Sequence, residues 1–412
     1  MDERHYCRPR RKLAVTRVTI GIETNVNTIY IYQTMMTMDK KTILALLAAV
    51  LLTGTVTSCS ADDAEGGNSN STQIPITLSY SVSSGVQLRS TTDSHIITQG
   101  SNQVFTEGQE IDLFIDEKVE TGTTATYTGQ RFFLKATTPS GETTEGVSNF
   151  NFYSEEGRTT EITRYWPASG NGLYFYAYYP AGAMGNDAIT HTTTDTRPFT
   201  VGANQGTASA SVPYDLMFGV PNGRPIGTEA SNAVPRPTDN QRAAAAVNLN
   251  FSHCLSKVVV TIKGDGNGIA ADGTDANDNT KNQLTGALVT LGDNDICLEA
   301  DVVPNRGEAT AKASGTKGTV TLKSNEAGNS SLTNYCILPP EQTLTGKKIN
   351  IKLTDSGVKS FTIPKYDGED VVLKPGKEYD YTVTVGLYEV SVTATVKEWT
   401  SVVGDNSATL KY

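Results

Sequence analysis

Tyr379-Asp380-Tyr381-Thr382-Val383-Thr384-Val385 and, four residues on, Val390-Ser391-Val392-Thr393-Ala394-Thr395-Val396 place an apolar side chain at every second position. Thr, Ser and Asp fill the alternate sites and face water. A period of two is the signature of a strand with one buried face, because successive side chains of an extended chain point to opposite sides. The same alternation recurs at Ile74, Ile76, Leu78, Tyr80 and Val82; at Ile111, Leu113 and Ile115; at Val247, Leu249 and Phe251; and at Ile349, Ile351 and Leu353. Helical periodicity is nearly absent. The chain therefore reads as all-β, built of antiparallel sheets packed face to face. Clusters of Gly, Asn, Asp and Pro at 169–172, 182–187, 264–279 and 375–376 separate the strands. Between 220 and 246 the composition shifts to Pro, Asn, Arg and Ala, including Pro235-Arg236-Pro237. A domain boundary is expected there, dividing an N-terminal sandwich at 74–237 from a C-terminal one at 238–412, each large enough for its own core.

The 412 residues carry four histidines and a formal net charge of −10, with 37% hydrophobic and 19% charged positions. Few histidines leave few candidates for acid–base or metal chemistry. The negative balance argues against nucleic acid as a partner. The charge is uneven: from Cys59 onward it reaches −14.

Residues 38–58 read MDKKTILALLAAVLLTGTVTS, with Lys40 and Lys41 before ten apolar residues at 43–52. That length suits a signal peptide and falls short of a spanning helix. The approach Val56-Thr57-Ser58-Cys59 resembles a bacterial lipobox, so Cys59 is expected to be the acylated first residue of a mature chain of 354 residues. Several acyl chains, at about 0.8 kcal/mol per buried methylene, make a stable anchor. Residues 1–37 read as an over-extended start, with Met35, Met36 and Met38 as alternatives. Residues 59–73 read as a flexible acidic tether, and Asp62, Asp63 and Glu65 resemble the acidic signal that sends some lipoproteins to the outer face of the outer membrane.

No GxSxG, HExxH or P-loop occurs, and no cofactor motif is present. Gly264-Asp265-Gly266-Asn267-Gly268 is followed by Ile269 where a dinucleotide fingerprint needs glycine. Its continuation through Asp272, Asp275 and Asp278 offers clustered oxygens to calcium but departs from EF-hand spacing, so a solvated insertion is favoured. Cys254, Cys297 and Cys336 have no metal-ligand spacing and read as small buried hydrophobes, and His253 as a packed corner residue. The run Leu173-Tyr174-Phe175-Tyr176-Ala177-Tyr178-Tyr179-Pro180 covers both faces of one strand. A central strand buried on both sides explains it more cheaply than a sugar-stacking ladder.

Tyr165-Trp166-Pro167 with the aromatic run after it, Tyr214-Asp215-Leu216-Met217-Phe218-Gly219, the 247–263 strands with Phe251-Ser252-His253, Ile337-Leu338-Pro339-Pro340, Leu373-Lys374-Pro375-Gly376-Lys377-Glu378-Tyr379 and Lys397-Glu398-Trp399 together resemble the fimbrillin-like proteins, lipoprotein pilins and accessory subunits of type V pili. The resemblance implies two tandem transthyretin-like sandwiches and no enzyme activity. It implies a fimbrial subunit exposed at the outer membrane, with other pilin subunits and a host or bacterial surface ligand as partners. It also implies assembly by strand exchange: an Arg-specific protease removes the first strand, and a donor strand from another subunit fills the groove. In this sequence that strand is Ile74, Ile76, Leu78, Tyr80 and Val82, and the matching processing site is Arg89-Ser90. Losing five buried side chains at about 1.5–3 kcal/mol each leaves a deficit on the order of 7–15 kcal/mol, which a donor strand restores. Thirteen residues follow Trp399, short for a donor strand, and shaft, tip and anchor positions stay open. The alternative is a surface lipoprotein that binds glycans through Tyr-rich faces and does not polymerise.

Overall fold

The computed structural model describes residues 73–82, 96–99, 102–105, 107–121, 124–137, 148–206, 214–221, 233–238, 246–324, 332–354, 357–366, 368–388, 390–398 and 408–411. Among these the chain is all-β, with a single 3-10 turn at Asn279–Lys281. The first half supplies β1 (Leu78–Val82), β2 (Ile96–Gln99), β3 (Asn102–Phe105), β4 (Glu110–Thr121), β5 (Thr124–Tyr127), β6 (Gln130–Thr137), β7 (Ser148–Tyr153), β8 (Glu161–Ile162), β9 (Leu173–Tyr179), β10 (Arg197–Thr200), β11 (Met217–Pro221) and β12 (Val247–His253). Pairing runs β1-β12-β11-β9-β4-β6-β7 and returns to β1, because β1 bonds β12 on one side and β7 on the other. The sheet thus closes on itself, and closure leaves no edge within the ring. Its lumen is filled by the alternating residues, among them Leu78, Tyr80, Leu113, Leu134, Phe150, Phe175, Leu249 and Phe251. Gly219 on β11 stands opposite Phe251, where a Cβ would lie 2.6 Å from the phenyl ring. Gly219→Ala is expected to cost about 1–3 kcal/mol by overpacking, read as a lowered midpoint in thermal unfolding.

The second half supplies β13 (Ser256–Gly264), β14 (Leu288–Cys297), β15 (Glu299–Val303), β16 (Glu308–Ala311), β17 (Lys317–Thr321), β18 (Lys323–Ser324), β19 (Leu332–Leu338), β20 (Lys348–Lys352), β21 (Val358–Thr362), β22 (Lys377–Val385), β23 (Val390–Glu398) and β24 (Ala408–Lys411). Two sheets form from these strands alone, in the orders β18-β19-β13-β22-β23-β24 and β17-β14-β20-β21, and a third, β10-β15-β16, takes one strand from the first half. Val258, Val260, Tyr381 and Val383 of one and Val289, Leu291, Ile349 and Ile351 of the other belong to one core.

Three features of the pairing bear on the site. Two pairings, β1 with β12 and β13 with β22, are parallel. Long intervening chain makes this possible, since parallel neighbours need a crossover and not a tight turn. Second, the chain passes from the first sheet to another between β12 and β13, at Cys254 and Leu255, both fully buried. Third, β10 of the first half pairs with β15 of the second, and Tyr176, Tyr178 and Phe218 share a core with Ile349 and Tyr381. The halves interlock.

Candidate functional site: the strand that closes the first sheet

The chain enters β1 through Gln73-Ile74-Pro75-Ile76-Thr77, already tied to the body. The Trp166 amide donates to the Ile74 carbonyl (2.9 Å), and the Ile76 amide to the Arg164 carbonyl (2.8 Å). Pro75, with no amide hydrogen to offer, sits in an isolated bridge to Tyr165. On the other side the Val247 amide donates to the Thr77 carbonyl (2.9 Å), and the parallel register runs from Leu78 opposite Val247 to Val82 opposite Phe251. Ile74, Ile76, Leu78, Tyr80 and Val82 are 2–7% exposed, so all five expected residues lie inside. Tyr80 stacks on Phe150 (centroids 4.3 Å apart, planes 23°) and its hydroxyl donates to the Phe105 carbonyl (3.3 Å). On the outer face Ser79 donates to the Asn248 side chain (3.4 Å), and Ser81 to that of Asn250.

Cys59, Arg89 and Ser90 lie outside the described residues, as do the 1–37 start, the 38–58 signal and all but the last residue of the 59–73 tether. The strand predicted to be exchanged is thus described and its processing site is not. β9 is buried along its whole length, with Leu173, Phe175, Ala177 and Tyr179 in the first core and Tyr174, Tyr176 and Tyr178 in the second. The run offers no exposed ring face to a sugar.

In the Asp/Asn-rich loop the Asp265 carboxylate accepts the amides of Asn267, Gly268 and Ile269 (3.0 Å each). Those amides are the ones a phosphate would need. Asp272 accepts from Thr274, Asp275 from Asn277 and Asp278, and Asp278 from Thr280. These bonds, led by those from Ile269, Thr274 and the Thr280 side chain, hold Asp265, Asp272 and Asp278 below the usual carboxylate range. Each carboxylate serves its own turn. Among the described residues no three His, Cys, Asp or Glu side chains converge as a metal requires. His253 is buried with its Nδ1 2.8 Å from Asp215 Oδ1. Cys254, Cys297 and Cys336 are buried free thiols, and burial pushes Cys254 and Cys336 up, away from reactivity.

A cleft of about 370 Å³ opens beside Asp295, Cys297, Lys312, Glu341, Gln342 and Lys347. Its charges are committed: Lys347 to Asp295 (2.8 Å), and Glu341 to Lys374 (2.8 Å). The Gln342 amide bonds the Cys297 backbone in both directions.

Sequence reading missed the buried charges. On β4, Asp112 and Asp116 alternate with lumen residues, yet both are fully buried. Asp112 meets Arg158 (2.7 Å) and Arg131 (2.8 Å), and Asp116 accepts the His191 amide (2.8 Å) and the Gly129 amide (3.2 Å). Burial nonetheless holds the Asp116 carboxyl above its ordinary range. Lys257 and Glu378, opposite each other on β13 and β22, form a second buried pair (2.8 Å). The available signal was charge inside otherwise apolar strands.

The first sheet is thus closed by β1, the first described strand. The fimbrillin-like family profile matches residues 89–399, three quarters of the chain, and the protein belongs to that family. No curated protein matches it. A candidate cell adhesion protein from Bacteroides ovatus shares the fold, at 16% identity over 81% of this chain and 99% of that one, TM-score 0.52. A candidate cell adhesion protein from Bacteroides uniformis (18% identity, 81% and 100% covered, TM-score 0.49) and the tip fimbrial protein Mfa3 from Porphyromonas gingivalis, C-terminally truncated (10%, 79% and 100%, TM-score 0.41), also match.

Proposed function

We propose that this chain is a surface-exposed, lipid-anchored fimbrial subunit of a type V pilus, built as two tandem transthyretin-like sandwiches, that joins other pilin subunits by strand exchange and takes part in adhesion. The observation that carries the reading is the place of β1. It is the first described strand, it closes the ring between β12 and β7, and it contributes alternate buried side chains to the lumen. Its partners all follow residue 89 in sequence, so a cut there separates a strand from a groove. The tandem reading is supported by a recurrence. β13, which opens the second half, is likewise flanked by one antiparallel neighbour, β19, and one parallel neighbour, β22.

Intact, the closed ring suits a monomer in transit. Cut after Arg89, it exposes an apolar groove with unpaired backbone donors and acceptors, which another strand satisfies. Treating the purified protein with an Arg-specific protease is expected to convert monomers to oligomers on gel filtration, and Arg89→Ala to block the conversion. If the trimmed protein stays monomeric and stable and takes up no partner strand, the proposal fails.

A further inference from the structure

Alternation alone does not fix where a strand sits in its groove. A slip of one residue inverts the faces and is forbidden, but a slip of two returns every apolar side chain to the lumen. Something must distinguish Tyr80 from Leu78 and Val82. Resting on the strand-exchange reading, we infer that the groove selects its strand through an aromatic box that accepts a hydroxylated ring at the position of Tyr80 and thereby sets the register.

The box is made by Phe105, Phe150 and Phe251, one from each of β3, β7 and β12. Phe150 stacks on Tyr80 at 4.3 Å, and Phe105 is tilted against it at 5.3 Å. Phe251 stands edge-on to Phe105 (5.0 Å, 89°) and to Phe150 (5.9 Å, 70°). Gly219 leaves Phe251 the room it occupies. At the end of the ring the Phe105 carbonyl accepts the Tyr80 hydroxyl (3.3 Å), a bond that only a phenol at this position supplies. A slip by two would bring Leu78 or Val82 here, losing the stacking and leaving the carbonyl without that donor. The outer face adds a second mark: Asn248 and Asn250, bonded to each other (3.3 Å), receive the hydroxyls of Ser79 and Ser81. All five residues that read the strand lie beyond Arg89 and stay with the body. The partner is thus an extended segment running parallel to β12, apolar at alternate positions, with tyrosine flanked by hydroxyl-bearing residues.

The test uses the full chain with a protease site inserted after Val82, cleaved so that the β1 segment remains seated, and exchange followed by anisotropy of a labelled peptide. Four peptides compete: the native segment QIPITLSYSV, its Tyr80→Phe and Tyr80→Leu versions, and a Leu78→Tyr/Tyr80→Leu version. The native peptide is expected to exchange, the Phe version to compete about fivefold less well and the Leu version at least about tenfold less well. The doubly changed peptide is expected to bind displaced by two residues, seen as a shifted hydrogen-exchange footprint on β12. Equal competition by the native and Leu peptides overturns the box while leaving strand exchange intact. Failure of the native peptide itself to exchange into the folded body overturns strand exchange and the box with it.

Discussion

Asp112→Ala is expected to lower the stability of the fold by about 3–5 kcal/mol, the usual consequence of stranding a buried charge. The Asp112 carboxylate is fully buried and holds Arg158 through one oxygen and Arg131 and the Gly182 amide (2.6 Å) through the other. Arg158, itself 3% exposed, would keep its bonds to the Leu134, Ile111 and Glu156 carbonyls, but among the described residues its other carboxylate contact is the half-exposed Glu110 at 3.4 Å. Urea unfolding should show a lower midpoint at an unchanged slope. A loss under about 1 kcal/mol would mean that water reaches the arginines and that the burial argument is wrong.

Lys257 and Glu378 should behave differently under single and double change. Lys257→Ala removes the ammonium that lies 2.8 Å from Glu378, a carboxylate 1% exposed, and a loss of about 3–5 kcal/mol is again expected. Lys257→Met combined with Glu378→Leu removes both charges from adjacent strands and should recover most of that loss, because desolvating the pair offsets much of its attraction. A double-mutant cycle reads the coupling directly. Additive losses would show that the two side chains act independently despite the 2.8 Å contact.

Wherever one face of a strand meets a core and the other meets water, alternation predicted the fold well. β22, with Tyr379, Tyr381, Val383 and Val385 buried and the residues between them half-exposed, is such a strand. It failed where both faces are covered by different cores. β4 shows why: Ile111, Leu113 and Ile115 fill the lumen, while on the opposite face Phe114 joins the second core and Asp112 and Asp116 are buried against residues 129–191 of the first half. A carboxylate is a poor core residue on any propensity scale. Its presence there depends on arginines and amides distant in sequence, which no local pattern records. For the same reason the five residues of β1 were legible as buried, but the rings around Tyr80, brought from Phe105, Phe150 and Phe251, were not.

The parallel alignment of β1 with β12 also has a mechanical meaning. β1 is entered from its N-terminal end at Gln73, and β12 leaves from its C-terminal end toward Ser256 and the second half. In a parallel pair those points lie at opposite ends of the ladder. Tension applied between them therefore runs along the strands and loads their hydrogen bonds in shear, all at once, where a pull on neighbouring ends would unzip them singly. A subunit held at Gln73 and pulled from Ser256 would meet the resistance of all five β1–β12 positions together.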